Sequence, residues 1–131
     1  MNDSVKYLRA ALVLVGVAFI VGIYTFVIVW PSGWAWHHDH SASLPHYLQM
    51  ILGVYATLGV FLLVASRDPL KHLSLIWFTV WSSVVHGAIM AMQSLTGPEY
   101  MGHLCGDVLA LFVVAAVLAL LTPRGAAAKA A

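Results

Sequence analysis

The stretch that decides the fold is residues 10–36, AALVLVGVAFIVGIYTFVIVWPSGWAW, which contains no Asp, Glu, Lys or Arg. Equally uncharged stretches cover residues 40–66 and 72–98, and residues 100–123 are interrupted only by Asp107. Each exceeds the roughly 20 residues with which a helix crosses a bilayer. Because lipid offers the backbone no hydrogen-bond partners, these stretches are predicted to be helices.

The composition of the whole chain agrees with lipid as its solvent. Of 131 residues, 62% are hydrophobic and 8% are charged, whereas an ordinary soluble domain is about 25% charged. A soluble domain is therefore excluded. The lipid bilayer is the expected partner, and no nucleic-acid partner is expected.

The spacing of the apolar stretches predicts an all-α fold, an integral membrane four-helix bundle with up-down-up-down topology. Pro and Gly residues between the stretches predict short turns, which favour antiparallel neighbours. Residues 1–131 are expected to form one domain, with residues 125–131 as a flexible tail. The predicted helices cover about 8–30, 46–65, 72–95 and 102–122.

The basic residues predict the orientation of this bundle. All 6 Lys and Arg residues precede the first helix or lie at its start, lie between the second and third, or follow the fourth. Loops that carry Lys and Arg stay on the cytoplasmic side. Both termini are therefore predicted to be cytoplasmic, in a bacterial inner membrane.

The predicted external loop after the first helix contains three Trp residues and the sequence His37-His38-Asp39-His40. Trp side chains favour the membrane interface, so the tryptophans indicate an aromatic belt. Imidazole groups are ligands of Cu and Zn, but a solvated His-rich loop also binds such ions adventitiously. Both interpretations of the three histidines stay open.

Polar residues inside the predicted helices form stripes at helical spacing. One stripe in the second helix contains His46, Gln49, Met50, Gly53 and Thr57, and one in the third contains Thr79, Ser82, Ser83, His86, Met90 and Gln93. We expect these stripes to face one another, because polar groups in lipid are costly. Asp107 follows His103 by four residues, so their side chains share a helix face.

Two interpretations of these polar residues are open. They join helices by hydrogen bonds, or they form a site, in which Asp107 orients His103 as a ligand or proton relay. The candidate ligands of Cu or Zn are His37, His38, His40, His46, His103 and Asp107. The candidate cofactor-binding residues, for a haem b or a quinone, are His46, His86 and His103, of which His46 and His103 lie at similar predicted depth.

Several segments resemble a family of small, uncharacterised four-helix bacterial membrane proteins. They are Trp30-Pro31-Ser32-Gly33-Trp34, the run from Ser66 to Gly87, Met90 and Gln93, Gly102-His103-Leu104, and Gly106-Asp107-Val108. The size and topology also resemble DoxX-type membrane proteins. The resemblance implies a compact inner-membrane bundle, and it implies no activity and no catalytic residue.

The leading functional hypothesis is a non-catalytic accessory or assembly subunit, packed against a larger membrane complex such as an electron-transfer chain. Its partners would be other integral membrane subunits or further copies of the chain. The alternative is a redox protein that binds a metal, haem or quinone at the external mouth of the bundle. A third hypothesis is a proton or small-solute pathway.

Overall fold

The computed structural model describes residues 3–29, 46–98 and 101–123, with the backbone alone described for residues 26–28, 47 and 103. Within these ranges the chain consists of helices and turns and contains no strand. The prediction of an all-α fold is confirmed. The α-helices are α1 (Asp3–Val17), α2 (Ile23–Val29), α3 (His46–Ala65), α4 (Leu73–Ser94), α5 (Gly102–Cys105) and α6 (Asp107–Leu121).

The first helical segment begins at Asp3, earlier than the predicted residue 8. A carboxylate in the first turn stabilises the helix N-terminus, and Asp3 Oδ1 also accepts a hydrogen bond from Lys6 Nζ at 3.2 Å. A π-helical turn, Ala18–Gly22, connects α1 to α2. The π turn was not predicted, because hydrophobic periodicity does not distinguish it from α-helix.

The segment predicted as one helix over 102–122 is two helices, so that prediction is wrong at Gly106. Gly106 has φ −103° and ψ −103°, outside the helical region. Glycine accommodates these angles because it has no Cβ. A new helix then starts, in which the Ala110 N–H donates to the Gly106 carbonyl at 3.0 Å.

Three segments of the described chain are long and apolar enough to cross a membrane: Asp3–Thr25, Leu48–Ala65 and Pro69–Ser94. Asp107–Leu121 is apolar but shorter. Large apolar side chains are also exposed on the helices, including Leu14, Trp81 and Leu120. A surface of this kind is compatible with a membrane protein.

The buried core lies along α1 from Leu8 to Val15, together with the end of α3, the start of α4 and the end of α6. Leu8, Leu12, Leu62, Ile76 and Leu118 are completely buried there. They pack as one cluster, with Ala65, Val80 and Ala115 among its further members. Four helices contribute to this core, which makes it the tightly packed end of the fold.

The helices α1 and α3 approach each other closely at a pair of glycines. A Cβ placed on Gly59 would lie 2.6 Å from the Gly16 carbonyl oxygen, and one placed on Gly16 would lie 2.9 Å from the Gly59 carbonyl oxygen. Small residues allow such backbone contact between helices in membranes. This contact therefore sets the rotation of α3 relative to α1.

The turn between α3 and α4 carries an ion pair that makes stability depend on pH. Lys71 Nζ lies 2.9 Å from Asp68 Oδ2. The hydrogen bond from Lys71, with the nearby positive charge of Arg9 as a further cause, lowers the pKa of Asp68 below its ordinary value of 3.8. Because the folded-state pKa is the lower one, the stabilisation is complete above 3.8 and is lost as pH falls through the folded-state pKa.

We therefore expect Asp68→Asn to cause a small loss of thermal stability at neutral pH and to remove part of the fall in stability at acid pH. The loss is small because Lys71 is largely exposed and Asp68 is nearly half exposed, so solvent screens the pair. Thermal unfolding in detergent between neutral pH and about pH 3 measures it. In a Lys71→Gln background, Asp68→Asn should have little further effect; an undiminished effect there would contradict the pairing.

Candidate functional site

The packed helices enclose a partly open cavity of about 510 Å³, which borders the buried core at Phe19. Small-molecule pockets typically measure about 300–1,000 Å³ and are mostly apolar, with a few polar groups. Its lining includes Ala18, Phe19, Ile51, Leu52, Tyr55, His86, Met90, Gln93, Gly106, Asp107, Ala110 and Leu111. The cavity thus has the size and character of a ligand site.

A hydrogen-bonded pair from α3 and α4 lies in the wall of the cavity. The Tyr55 hydroxyl and His86 Nδ1 are 2.8 Å apart, and their rings are tilted by 57° with centroids 5.7 Å apart. Phe19 packs edge-on against Tyr55, with ring centroids 4.9 Å apart. The pair is held in place by this aromatic contact and joins two helices that are otherwise little packed against each other.

The tautomer of His86 decides which hydrogen-bonding groups the pair offers. When Tyr55 donates to Nδ1, Nε2 carries the proton and is a donor. When Nδ1 carries the proton and donates to the phenol oxygen, the Tyr55 O–H is a donor and Nε2 is an acceptor. The pair therefore offers a donor in either tautomer. The tautomer decides whether that donor is His86 Nε2 or the Tyr55 hydroxyl, and the position of the acceptor changes with it.

Asp107 brings a carboxylate to the same cavity. Its Oδ1 accepts a hydrogen bond from the Val108 N–H at 3.0 Å, at the N-terminus of α6, where negative charge is stabilised. It also interacts electrostatically with Tyr55 and His86. A carboxylate, an imidazole and a phenol, contributed by three helices, thus lie around one cavity.

Two irregular points of the described helices border the cavity. Ala18, Phe19 and Gly22 of the π-helical turn line one part of it, and Gly106, at the break before α6, lines another. π-Helical turns inside α-helices occur frequently at functional sites. The coincidence of both irregularities with the polar groups supports a functional cavity.

The structure brings together some of the predicted site residues and not others. His86 and Asp107 line the cavity. His46 lies at the exposed start of α3 and does not line it. The side chain of His103 and all of His37, His38 and His40 lie outside the described residues. The predicted pairing of Asp107 with His103 stays a prediction.

The metal and haem hypotheses are likewise not tested by the described residues. Among the His, Cys, Asp and Glu side chains in the described ranges, no group of three is placed to hold a metal ion. Most of the predicted ligands of Cu or Zn lie outside those ranges. The nearest ring partner of His86 in the cavity is Tyr55, which was not among the axial ligands considered for haem b.

The expected polar stripe of α3 faces outward, so this prediction is wrong. His46, Gln49, Met50, Gly53 and Thr57 are all exposed. The Thr57 hydroxyl donates to the Gly53 carbonyl at 2.9 Å, within its own helix. Because this bond satisfies the hydroxyl, Thr57 does not need to face a neighbouring helix.

The polar stripe of α4 is largely buried as expected, but two of its hydroxyl groups bond within the helix. Thr79 donates to the Leu75 carbonyl at 2.9 Å, and Ser82 to the Thr79 carbonyl at 3.2 Å. The structure places an interhelical side-chain bond between Tyr55 and His86 instead. The predicted role of Ser82 in joining helices is therefore wrong.

Tyr55 is the functional residue that the sequence analysis missed. The signal was present, because a phenol in the middle of an apolar stretch needs a hydrogen-bond partner. Tyr55 also follows Leu48 and Leu52 at spacings of seven and three residues, which places all three on one helix face. This face, and not the face with the polar residues, lines the cavity.

The fold and the cavity define a class of protein: over the described residues the chain is all-helical, with three apolar helices of membrane-spanning length, which is compatible with a membrane location. The chain belongs to a family of unknown function (DUF6632), whose model matches residues 2–131. The prediction of an uncharacterised family is confirmed. Comparison with curated proteins and with solved structures found no match.

Proposed function

We propose that the chain is an integral membrane protein with up-down-up-down topology and cytoplasmic termini, in a bacterial inner membrane. The described core supports this topology, because the end of α3, the start of α4 and the end of α6 meet in one cluster with α1. The fourth crossing combines α5 and α6 over residues 102–121. In this proposal, which the distribution of Lys and Arg supports, the packed core lies toward the cytoplasm and the cavity toward the external side.

The function that the geometry supports best is the binding of a lipophilic small molecule with a polar group. The single observation that carries it is the cavity of about 510 Å³ whose apolar wall contains the Tyr55–His86 pair. Apolar walls exclude water and select a lipophilic ligand, and the few polar groups orient it. Binding, with no catalytic step, is the activity proposed.

We expect a bound lipophilic molecule to accompany the protein, and a variant with a filled cavity to lose it. Ala110 lines the cavity, so Ala110→Trp places an indole within it. Protein purified from its own membrane is extracted with organic solvent, and the extract is analysed by mass spectrometry. The wild-type protein should release one compound in stoichiometric amount. The Ala110→Trp variant should release at most about one tenth of that amount.

Leu120→Trp is the matched control for this experiment. Leu120 lies on the same helix, is 76% exposed and does not line the cavity. Its variant should release the compound in the wild-type amount. If wild type, Ala110→Trp and Leu120→Trp release only bilayer lipids in equal amounts, the cavity does not bind a ligand and the proposed function is wrong.

The accessory-subunit hypothesis stays a prediction of the sequence, as does the proton or small-solute pathway. Ligand binding is compatible with a place beside a larger membrane complex. Purification in mild detergent tests whether the chain is part of such a complex. Co-purifying integral membrane proteins would support the accessory-subunit hypothesis, and a lone chain would count against it.

A further inference from the structure

Two polar groups at different depths of the cavity indicate what kind of ligand it fits. His86 and Gln93 both line the cavity and are seven residues apart on α4, which is about 10 Å along the helix axis. The Tyr55–His86 pair offers a donor in either tautomer, and the Gln93 amide offers both a donor and an acceptor. A ligand that uses both groups needs a polar atom at each end.

A six-membered ring with oxygens in para positions satisfies this spacing. The ring with its two oxygens, plus a hydrogen bond at each end, spans roughly 11 Å. A carbonyl oxygen accepts from the donor that the Tyr55–His86 pair presents. A ligand hydroxyl group in the same place donates to Nε2 of His86, which is an acceptor when Nδ1 carries the proton. The same pair therefore fits both a quinone and its hydroquinone.

The carboxyl group of Asp107 disfavours one common class of lipophilic molecule. Asp107 lines the cavity, and two carboxylates in a medium of low dielectric constant repel each other strongly. Fatty acids are therefore disfavoured as ligands. A neutral ring with oxygen at both ends avoids this repulsion.

The remaining walls suit the ring faces and an apolar tail. Phe19, Leu52 and Leu111 offer apolar contact, and the Met90 thioether is a polarisable neighbour for an aromatic or quinoid ring. Ala18, Ile51 and Ala110 line the cavity and are also exposed. The opening at these residues lets a hydrocarbon tail leave the cavity toward the surrounding lipid.

We propose that the cavity binds a quinone or hydroquinone with a hydrocarbon tail, with one ring oxygen at the Tyr55–His86 pair and the other at Gln93. This inference rests on the proposed function, since it names the class of lipophilic ligand for the same cavity. No electron transfer is part of it.

Two probes with the same tail separate recognition of the oxygens from simple apolar binding. The full chain is placed in nanodiscs of phosphatidylcholine and phosphatidylglycerol, and thermal shifts are measured with 2-decyl-1,4-benzoquinone and with decylbenzene. The quinone should bind about tenfold more tightly or better, because each of its two oxygens makes a hydrogen bond and each such bond is worth roughly two- to tenfold in affinity. Equal affinities would overturn the proposal and leave apolar binding in place. A failure of both probes to bind would overturn the proposed function as well.

Two conservative variants then locate the ring oxygens. Tyr55→Phe removes only the hydroxyl and should weaken quinone binding about fivefold, with decylbenzene unchanged. Gln93→Leu should have a similar selective effect, and this exposed position leaves folding intact. If neither variant changes the ratio of the two affinities, the assigned contacts are wrong.

Discussion

Leu118→Ala should lower the free energy of unfolding by about 2–5 kcal/mol. Leu118 is completely buried and packs in the cluster that contains Leu8, Leu62 and Ile76. Removing its branched side chain leaves a void that the four surrounding helices fill only in part. The loss is mainly one of van der Waals contact, because lipid is as apolar as the core and reduces the transfer contribution.

The control is Leu120→Ala, on the same helix and with the same change in volume. Leu120 is 76% exposed, so its replacement should change stability by about 0.5 kcal/mol or less. Unfolding of the purified protein in mixed micelles, followed by circular dichroism, measures both variants. Equal losses for the two variants would show that the described core does not determine stability.

Gly59→Ala should destabilise the protein by about 1–3 kcal/mol. The added Cβ would lie 2.6 Å from the Gly16 carbonyl oxygen and 2.8 Å from Ile20 Cγ1. The first of these neighbours is backbone, so α1 and α3 must separate to accept the methyl group. Gly16→Ala should have a similar effect, because its Cβ would meet the Gly59 carbonyl oxygen at 2.9 Å.

Gly53→Ala tests the same substitution in open space. No atom lies within 4 Å of the position that its Cβ would take. Alanine in a helix interior is favoured over glycine by about 0.5–1 kcal/mol, so this variant should be as stable as wild type or slightly more so. Thermal unfolding in detergent compares the variants; a loss for Gly53→Ala equal to that for Gly59→Ala would contradict the close contact.

The positions of the long helices were largely predictable from the sequence. The helix predicted over 46–65 spans His46–Ala65, and the one predicted over 72–95 corresponds to α4, Leu73–Ser94. Long uncharged stretches define such segments, because they reflect the thickness of the bilayer. The π turn and the break at Gly106 were not predictable in this way, since they change local geometry and leave composition unchanged.

The candidate site was predicted in part. His86 and Asp107 were identified because an ionisable group inside an apolar helix is energetically costly, so its presence indicates a site or an interhelical contact. Tyr55 was missed because the inward face of its helix was predicted from the polar residues of the second helix, and Tyr55 lies on a different face. His46 was included because its predicted depth matches that of His103, and it does not line the cavity.

By itself the sequence determined that the chain is helical and where its long apolar helices lie, because hydrogen bonding in lipid and the length of a membrane crossing act on each segment separately. Only the tertiary structure decided how α3 is rotated. Its inner face contains Leu48, Tyr55, Gly59 and Leu62. The close backbone contact of Gly59 with Gly16 favours this rotation. The Thr57 hydroxyl does not oppose it, because it donates to a carbonyl of its own helix and needs no partner on a neighbouring helix. This rotation places Tyr55 against His86, a pair that no periodicity within one helix specifies.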